Sequence, residues 1–366
     1  MKIKISVRNL VEFILRSGDI DNRGAGGMQA DAMQRGSRIH RKLQKQAGAL
    51  YHAEVPLKME FAEEHYTILL EGRADGIIDP EPESGAQPVI DEIKGVFADL
   101  SQITEPLIMH LAQAKCYAFI YATQKHYDRI GVRMTYVNLD TEEVRYFSDV
   151  YAFDELEAWF LALMQEYKKW AQFQYDWRVV RQASIQGLSF PFPYRKGQKE
   201  LAADVYRTIL RRKNLFIQAP TGTGKTVTTL FPAVKAVGEE LGDKIFYLTA
   251  KTITAAVAKE TLDLFYRNGY RAKTVQITAK EKLCLMEEPV CNPDACPYAK
   301  GHFDRVNEAV YTLLHQGDVF TREELLMQAK AHMVCPFELC LDTASWVDNV
   351  ICDYNYVFDP SVYLKR

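Results

Sequence analysis

The chain has 366 residues, with 45 lysines and arginines against 48 aspartates and glutamates, for a formal net charge of −3. That length exceeds one ordinary core and implies about two domains. The near balance of charge excludes a protein that coats nucleic acid by bulk positive charge, so any such contact must be a local groove.

No run approaches the roughly 18 uninterrupted apolar residues that a membrane span needs, and residues 1–10 alternate charged and aliphatic side chains instead of forming a signal peptide's apolar core. The expectation is a cytoplasmic protein with no membrane partner. An odd number of cysteines, seven, with six of them from Cys284 to Cys352, does not read as a disulfide framework and points to metal ligation.

In chain order, residues 36–50 carry a helical pattern, followed by short β-rich runs at 66–70 and 76–78. Residues 81–88, rich in Pro, Gly and Ser, predict a loop before an apolar strand at 89–93, and a helix follows over 107–121. Runs at 130–138 and 143–148 flank the turn-like 139–142 and predict a hairpin, so residues 1–151 read as one mixed α/β domain.

Residues 152–193 read as a helical connector that breaks at Phe190-Pro191-Phe192-Pro193. Beyond it, a strand at 215–218, a helix after Lys225 and a strand at 244–249 predict a parallel βαβ unit, making 194–366 the second domain.

The strand-to-helix junction of that unit reads Ala219-Pro220-Thr221-Gly222-Thr223-Gly224-Lys225-Thr226. Backbone amides and a helix N-terminus there suit phosphates, with Lys225 reaching the β and γ phosphates of ATP and Thr226 on Mg²⁺. Cys284, Cys291, Cys296 and Cys335, separated by six, four and 38 residues, lack the Cys-x-x-Cys pairs usual for structural zinc. Four thiolates can ligate an iron–sulfur cluster, and zinc or plain buried thiols are the alternatives. Cys340 and Cys352 read as buried.

These segments resemble iron–sulfur DNA helicases of the XPD/DinG type. The flanks Lys282-Leu283-Cys284, Cys296 to His302 and Cys335-Pro336-Phe337 carry the resemblance, as does Ala219 in the looser superfamily 2 form of the ATP loop. The resemblance implies a RecA-like motor domain with a 4Fe–4S insertion at about 280–342, adenine recognition by Arg195 and Gln198, and contact of residues 247–254 with a single-strand backbone. It also implies ATP-driven 5′-to-3′ unwinding of single-stranded or forked DNA in repair or processing.

Asp353 ends an apolar strand as a Mg²⁺-holding carboxylate would, yet Tyr354 follows where a Glu is needed. Residues 354–360 resemble instead the segment just before the Asp-Glu-Ala-His box of such helicases. The expectation is therefore that the box lies beyond Arg366 and that this chain alone is not a competent motor.

The first domain resembles a PD-(D/E)XK nuclease of the RecB type in four pieces: Arg35 to His40, Gly72 to Asp75, Asp91-Glu92-Ile93-Lys94, and Gln113 with Tyr117. Period two puts Glu92 and Lys94 on one strand face, and helical spacing puts Gln113 and Tyr117 on one helix face. The resemblance implies that His40, Asp75 and Glu92 hold Mg²⁺ or Mn²⁺ while Lys94 orients the attacking water or steadies charge. Asp91 reads as an exposed neighbour that could substitute as ligand, and Cys116 alone implies no second cluster. The competing expectation is a nonenzymatic DNA-binding or docking module on an iron–sulfur ATPase.

Overall fold

The computed structural model describes residues 1–23, 29–81, 84–220, 222–360, 362 and 364, without the side chains of residues 29–33 and 252. The chain divides into two compact units, Met1–Arg16 with Arg23–Tyr175, and Ser17–Asn22 with Asp176–Arg366.

The first unit opens with β1 (Lys2–Ser6) and α1 (Val7–Ile14), where the Ser6 hydroxyl accepts the Asn9 N–H at 3.0 Å and satisfies one of the helix's unpaired donors. Then come α2 (Gln29–Gln46), β2 (Tyr51–Ala62), β3 (Thr67–Ile78), β4 (Val89–Val96), α3 (Ile108–Lys125), β5 (Arg129–Asn138) and β6 (Val144–Ala152). β2 pairs antiparallel with β3, skipping only Glu54 and Asp75, and two strands divide the other edge of β3. β1 takes Thr67–Glu71 there in parallel, and β4 takes Gly76–Ile78 antiparallel. β4 then pairs parallel with β5, and β5 antiparallel with β6.

The expected runs at 66–70 and 76–78 are thus one strand, because β2 supplies ladder partners to Glu71, Gly72, Arg73 and Ala74 between them. α3 packs on β4 and β5 and buries nearly all of residues 112–122. The hairpin at 139–142 is held by the Asn138 side chain, whose oxygen accepts the N–H groups of Asp140 and Thr141, both at 2.9 Å.

Residues 152–193 do not form a separate piece. α4 (Phe153–Gln186) is a single helix, and the division between units falls within it, between Tyr175 and Asp176. In the first unit Phe160, fully buried, stacks on Phe119 at 4.4 Å and on Phe61 at 5.7 Å, and Trp170 meets the edge of Phe13 at 4.8 Å.

The second unit continues with α5 (Gln198–Leu210), α6 (Lys225–Gly238), β7 (Ile245–Thr249), α7 (Thr252–Arg267), β8 (Thr274–Gln276) and α8 (Lys280–Leu283). α9 (His302–Gln316), β9 (Val319–Phe320), α10 (Arg322–His332), α11 (Pro336–Trp346), β10 (Asn349–Asp353) and α12 (Asn355–Phe358) complete it. Its sheet is all parallel, in the order β7-β10-β8-β9. The segment expected as an insertion at 280–342 is not independent of that sheet, since β9 lies within it and pairs with β8.

The strand expected at 215–218 is absent. An apolar run becomes a strand only where a neighbour supplies ladder partners. None of β7–β10 pairs with these residues, and Phe216 is 96% exposed.

The C-terminal part of α4 is fastened to this sheet through Asp348. One carboxylate oxygen accepts Arg181 Nη1 at 2.7 Å, and the other accepts the Trp177 indole N–H and the Lys273 backbone N–H, both at 2.7 Å. Arg181 and Asp348 are each only 6% exposed. Removing one partner of such a pair leaves an uncompensated buried charge, which costs about 3–5 kcal/mol. Asp348→Ala should therefore lower the unfolding free energy of the second unit, from urea titration, by that amount and red-shift Trp177 fluorescence. A variant within 1 kcal/mol of wild type, on the order of a surface-pair effect, would refute the assignment.

Candidate functional site

β4 leaves β3 after the pair Gly76–Asp91. Where the ladder would continue, the Ile93 N–H donates instead to the Asp75 carboxylate at 2.8 Å. A side chain thus replaces a backbone partner, and a cleft opens between the parting strands.

Lys94 Nζ lies 2.9 Å from Glu92 Oε1 and donates to Gln113 Oε1 at 3.0 Å. His40, from α2, brings Nδ1 to 3.8 Å from Asp75 Oδ1. Gln113 is 3.5 Å from the Tyr117 hydroxyl, and Tyr117 lies so close to β3 that a Cβ on Gly72 would sit 2.8 Å from its ring. Only glycine leaves that space, which accounts for Gly72 in the first unit's motif.

Asp75, Glu92, Lys94, Gln113, Tyr117 and His40 are therefore neighbours. Among the described residues, no three His, Cys, Asp or Glu side chains converge tightly enough to hold a metal ion as they stand.

Glu92 is 1% exposed, and its Oε2 has no hydrogen-bond partner. Burial, reinforced by the nearby Asp75 charge and opposed by Lys94, pushes its carboxyl up to about 8. Asp75 is raised too, by burial first, with His40 opposing.

Asp91 is not the exposed neighbour expected from the sequence. It points to the opposite face of β4, is 2% exposed, and accepts from Arg133 Nε and Nη2 at 2.9 Å, Thr135 Oγ1 at 2.5 Å and the Tyr51 hydroxyl at 3.0 Å. With its oxygens committed on that face it is no substitute ligand.

A cavity of about 830 Å³ opens onto this cluster, lined by His40, Lys94 and Gln113 and also by Arg8, Arg41, Gln44 and His110. Sequence reasoning missed the last four. Gln44 donates to the Asp75 backbone oxygen at 2.9 Å and to Glu54 at 3.1 Å, and its only sequence signal is its place four residues after His40. His110 is pushed down to about 4 by burial and by the positive charges of Lys94 and Arg8, so it is neutral.

In the second unit, Gly222 and Gly224 take φ of +79° and +74°, and Gly224 caps α6. Lys225 Nζ reaches back to the Ala219 and Pro220 carbonyls, both at 2.7 Å, and Thr226 lies in the first turn. Thr221 lies outside the described residues. Thr223 Oγ1 donates to the Pro220 carbonyl at 2.9 Å.

Arg195 Nη1 donates to the Gly222 carbonyl at 2.9 Å. The Gln198 amide donates to the Thr223 carbonyl at 2.9 Å and accepts the Arg195 N–H at 2.8 Å. Both residues brace the loop backbone. Asp353 ends β10, where its carboxylate accepts the Asn355 N–H at 2.9 Å. At the end of β7 the hydroxyls of Thr249 and Thr254 contact each other.

Cys284, Cys291, Cys296 and Cys335 line one pocket, walled by Leu285, Pro289, Val290 and Phe337. Cys335 caps α11 ahead of Pro336, and burial pushes its thiol up to about 11. Cys340 and Cys352 are buried in α11 and β10, and Cys116 in α3, all outside that pocket.

Residues 199–291 match the DEAD/DEAH box helicase family and residues 257–365 match the DEAD_2 family. The chain is 25% identical over 220 residues to the general transcription and DNA repair factor IIH helicase subunit XPD/RAD3 of Saccharomyces cerevisiae, covering 49% of this chain and 28% of that protein. It is 22% identical over 224 residues to the regulator of telomere elongation helicase 1 of Homo sapiens, covering 47% of this chain and 18% of that protein. The matched stretch thus spans less than a third of either relative. A solved structure, that of SSO0001, aligns over 44% of this chain and 74% of its own at 19% identity, with a TM-score of 0.31, too low for a shared fold to follow. Residues 199–365 are thus similar in sequence to DEAD/DEAH box and DEAD_2 helicases and to part of the XPD/RAD3 subunit.

Glu92 gives a direct test of the cleft's electrostatics. Its folded value of about 8 lies above the ordinary 4.5, so its stabilising effect is complete below pH 4.5 and is lost as pH rises through about 8. Thermal melts of wild type and Glu92→Gln across that window should converge at the acid end and diverge toward the alkaline end, with the variant the flatter. Parallel curves would show that the carboxyl is not held protonated.

Proposed function

We propose that the chain is part of an ATP-driven DNA helicase of the XPD/DinG type, 5′-to-3′ by resemblance, joined to a metal-dependent DNA nuclease of the PD-(D/E)XK kind. Its substrate is single-stranded or forked DNA in repair or processing. The observation that carries the motor reading is the Gly224-Lys225-Thr226 start of α6 lying inside the helicase-matching residues.

At that junction the first amides of α6 have no intrahelical acceptor, and the helix dipole favours a phosphate there. Lys225 would exchange the Ala219 and Pro220 carbonyls for β and γ phosphate oxygens, and Thr226 would hold Mg²⁺. Arg195 and Gln198 keep the loop backbone in shape while this happens. Replacing Lys225 by Ala removes charge-assisted bonds worth about 1.5–3 kcal/mol. Binding of a fluorescent ATP analogue to the full chain should weaken about tenfold or more, and an unchanged Kd would reject the loop as an ATP site.

The nuclease reading rests on the buried, partnerless Glu92 oxygen beside Asp75 and Lys94. An unsatisfied buried carboxylate oxygen is costly unless something binds it, and the oxygen and nitrogen donors of Glu92, Asp75 and His40 suit Mg²⁺ or Mn²⁺. Such an ion, when bound, polarises a phosphodiester and acidifies a water. Glu92 would give up its proton to hold the ion. Lys94, with two of its three donors on Glu92 and Gln113, has the third for the water or a phosphate oxygen. Gln113 and Tyr117 keep the ammonium in place from α3.

Cleavage of labelled single-stranded and forked DNA by the full chain with Mn²⁺ should fall on the order of a hundredfold or more in Glu92→Gln and in Lys94→Ala. DNA binding without cleavage in wild type would favour the docking-module reading.

For the four cysteines the reading is a 4Fe–4S cluster. Their four thiols share one largely apolar pocket, and four thiolates are the ligand set of such a cluster.

A further inference from the structure

The segment Ser17–Asn22 follows α1 in sequence, yet it is built into the second unit. Its Ile20 is 9% exposed and lines the same pocket as Cys284, Cys291, Cys296 and Cys335. The backbone on either side of that side chain is tied down at both ends. The Ile20 N–H donates to the Ala299 carbonyl at 2.9 Å, and the Asn22 N–H donates to the carbonyl of Cys291 itself at 3.0 Å.

The start of α9 is held by the same six residues. The Asp19 carboxylate accepts the Gly301 N–H at 2.5 Å, the Gly18 N–H donates to Asp304 at 2.8 Å, and the Phe303 N–H donates to the Gly18 carbonyl at 3.0 Å.

We propose that Ser17–Asn22 is a strap that closes the cysteine pocket, with Ile20 as its apolar cover and Asp19 as its clamp. The inference rests on the cluster reading given above. The two peptide stretches gripped by the strap flank Cys296, one ending at Cys291 and the other running from Ala299 to Asp304. A strap so placed fixes the spacing of two of the four thiols and keeps water and chelators from the pocket. Apolar cover raises the barrier to attack on an iron–sulfur group, because every reagent must first displace it.

The test uses the full chain, reconstituted anaerobically with iron and sulfide. The readout is the decay of absorbance near 400 nm in air and with an iron chelator. Asp19→Ala removes an exposed residue's helix-capping bond. A net hydrogen bond of about 1 kcal/mol shifts an opening equilibrium about fivefold, so bleaching should be faster by that factor. Ile20→Asp should bleach faster still, and Ile20→Leu should match wild type.

If Asp19→Ala and Ile20→Asp both bleach at the wild-type rate, the strap has no such role. Should Ile20→Asp fail to fold by circular dichroism, Asp19→Ala against Ile20→Leu carries the comparison. A wild-type chain that takes up no iron chromophore would instead remove the cluster reading itself, an outcome distinct from failure of the strap.

Discussion

Everything in the first unit's cleft depends on one bond, from the Ile93 amide to the Asp75 carboxylate. A strand that parts from its neighbour leaves amides and carbonyls without partners, and such groups are costly when buried. Here a carboxylate supplies the missing acceptor, so β4 can leave β3 while still pairing with β5. The same substitution holds Asp75 near Glu92, where the Asp75 charge adds to burial in disfavouring ionisation of Glu92. Backbone geometry and site electrostatics therefore have a common origin.

The legible parts of this arrangement were those governed by local periodicity. Alternation along 92–94 sufficed to put Glu92 and Lys94 together, and helical spacing did the same for Gln113 and Tyr117. The burial of Asp91 is not legible locally, because its partners Arg133 and Thr135 lie on β5, 42 and 44 residues away, where no local pattern reports them. The single strand β3 was split in the reading because Glu71, Gly72 and Arg73 interrupt its apolar run; only pairing with β2 carries it through.

A different limit applied to the second unit. The Gly-rich loop and the cysteine spacing are short motifs with their own chemistry, and they were visible without tertiary context. Residues 215–218 have a strand's composition but no ladder, since strand identity belongs to a pair and not to a segment. The fastening of α4 by Asp348 was invisible for a related reason. An aspartate near the chain's end, 167 residues from its arginine, has no signature until both are buried.

The strap has a consequence for how the molecule is made. Asp19 and Gly301 are 282 residues apart, among the longest loops the chain has to close. During synthesis the first unit's strands are complete long before Cys284 leaves the ribosome, at rates of about 5–20 residues per second. Ile20 must wait through that interval with its apolar side chain uncovered. Assembly of the cysteine pocket is thus a late, non-local event, slow for the same reason that high contact order slows folding generally. A segment displayed early and docked last is where a newly made chain keeps apolar surface uncovered longest.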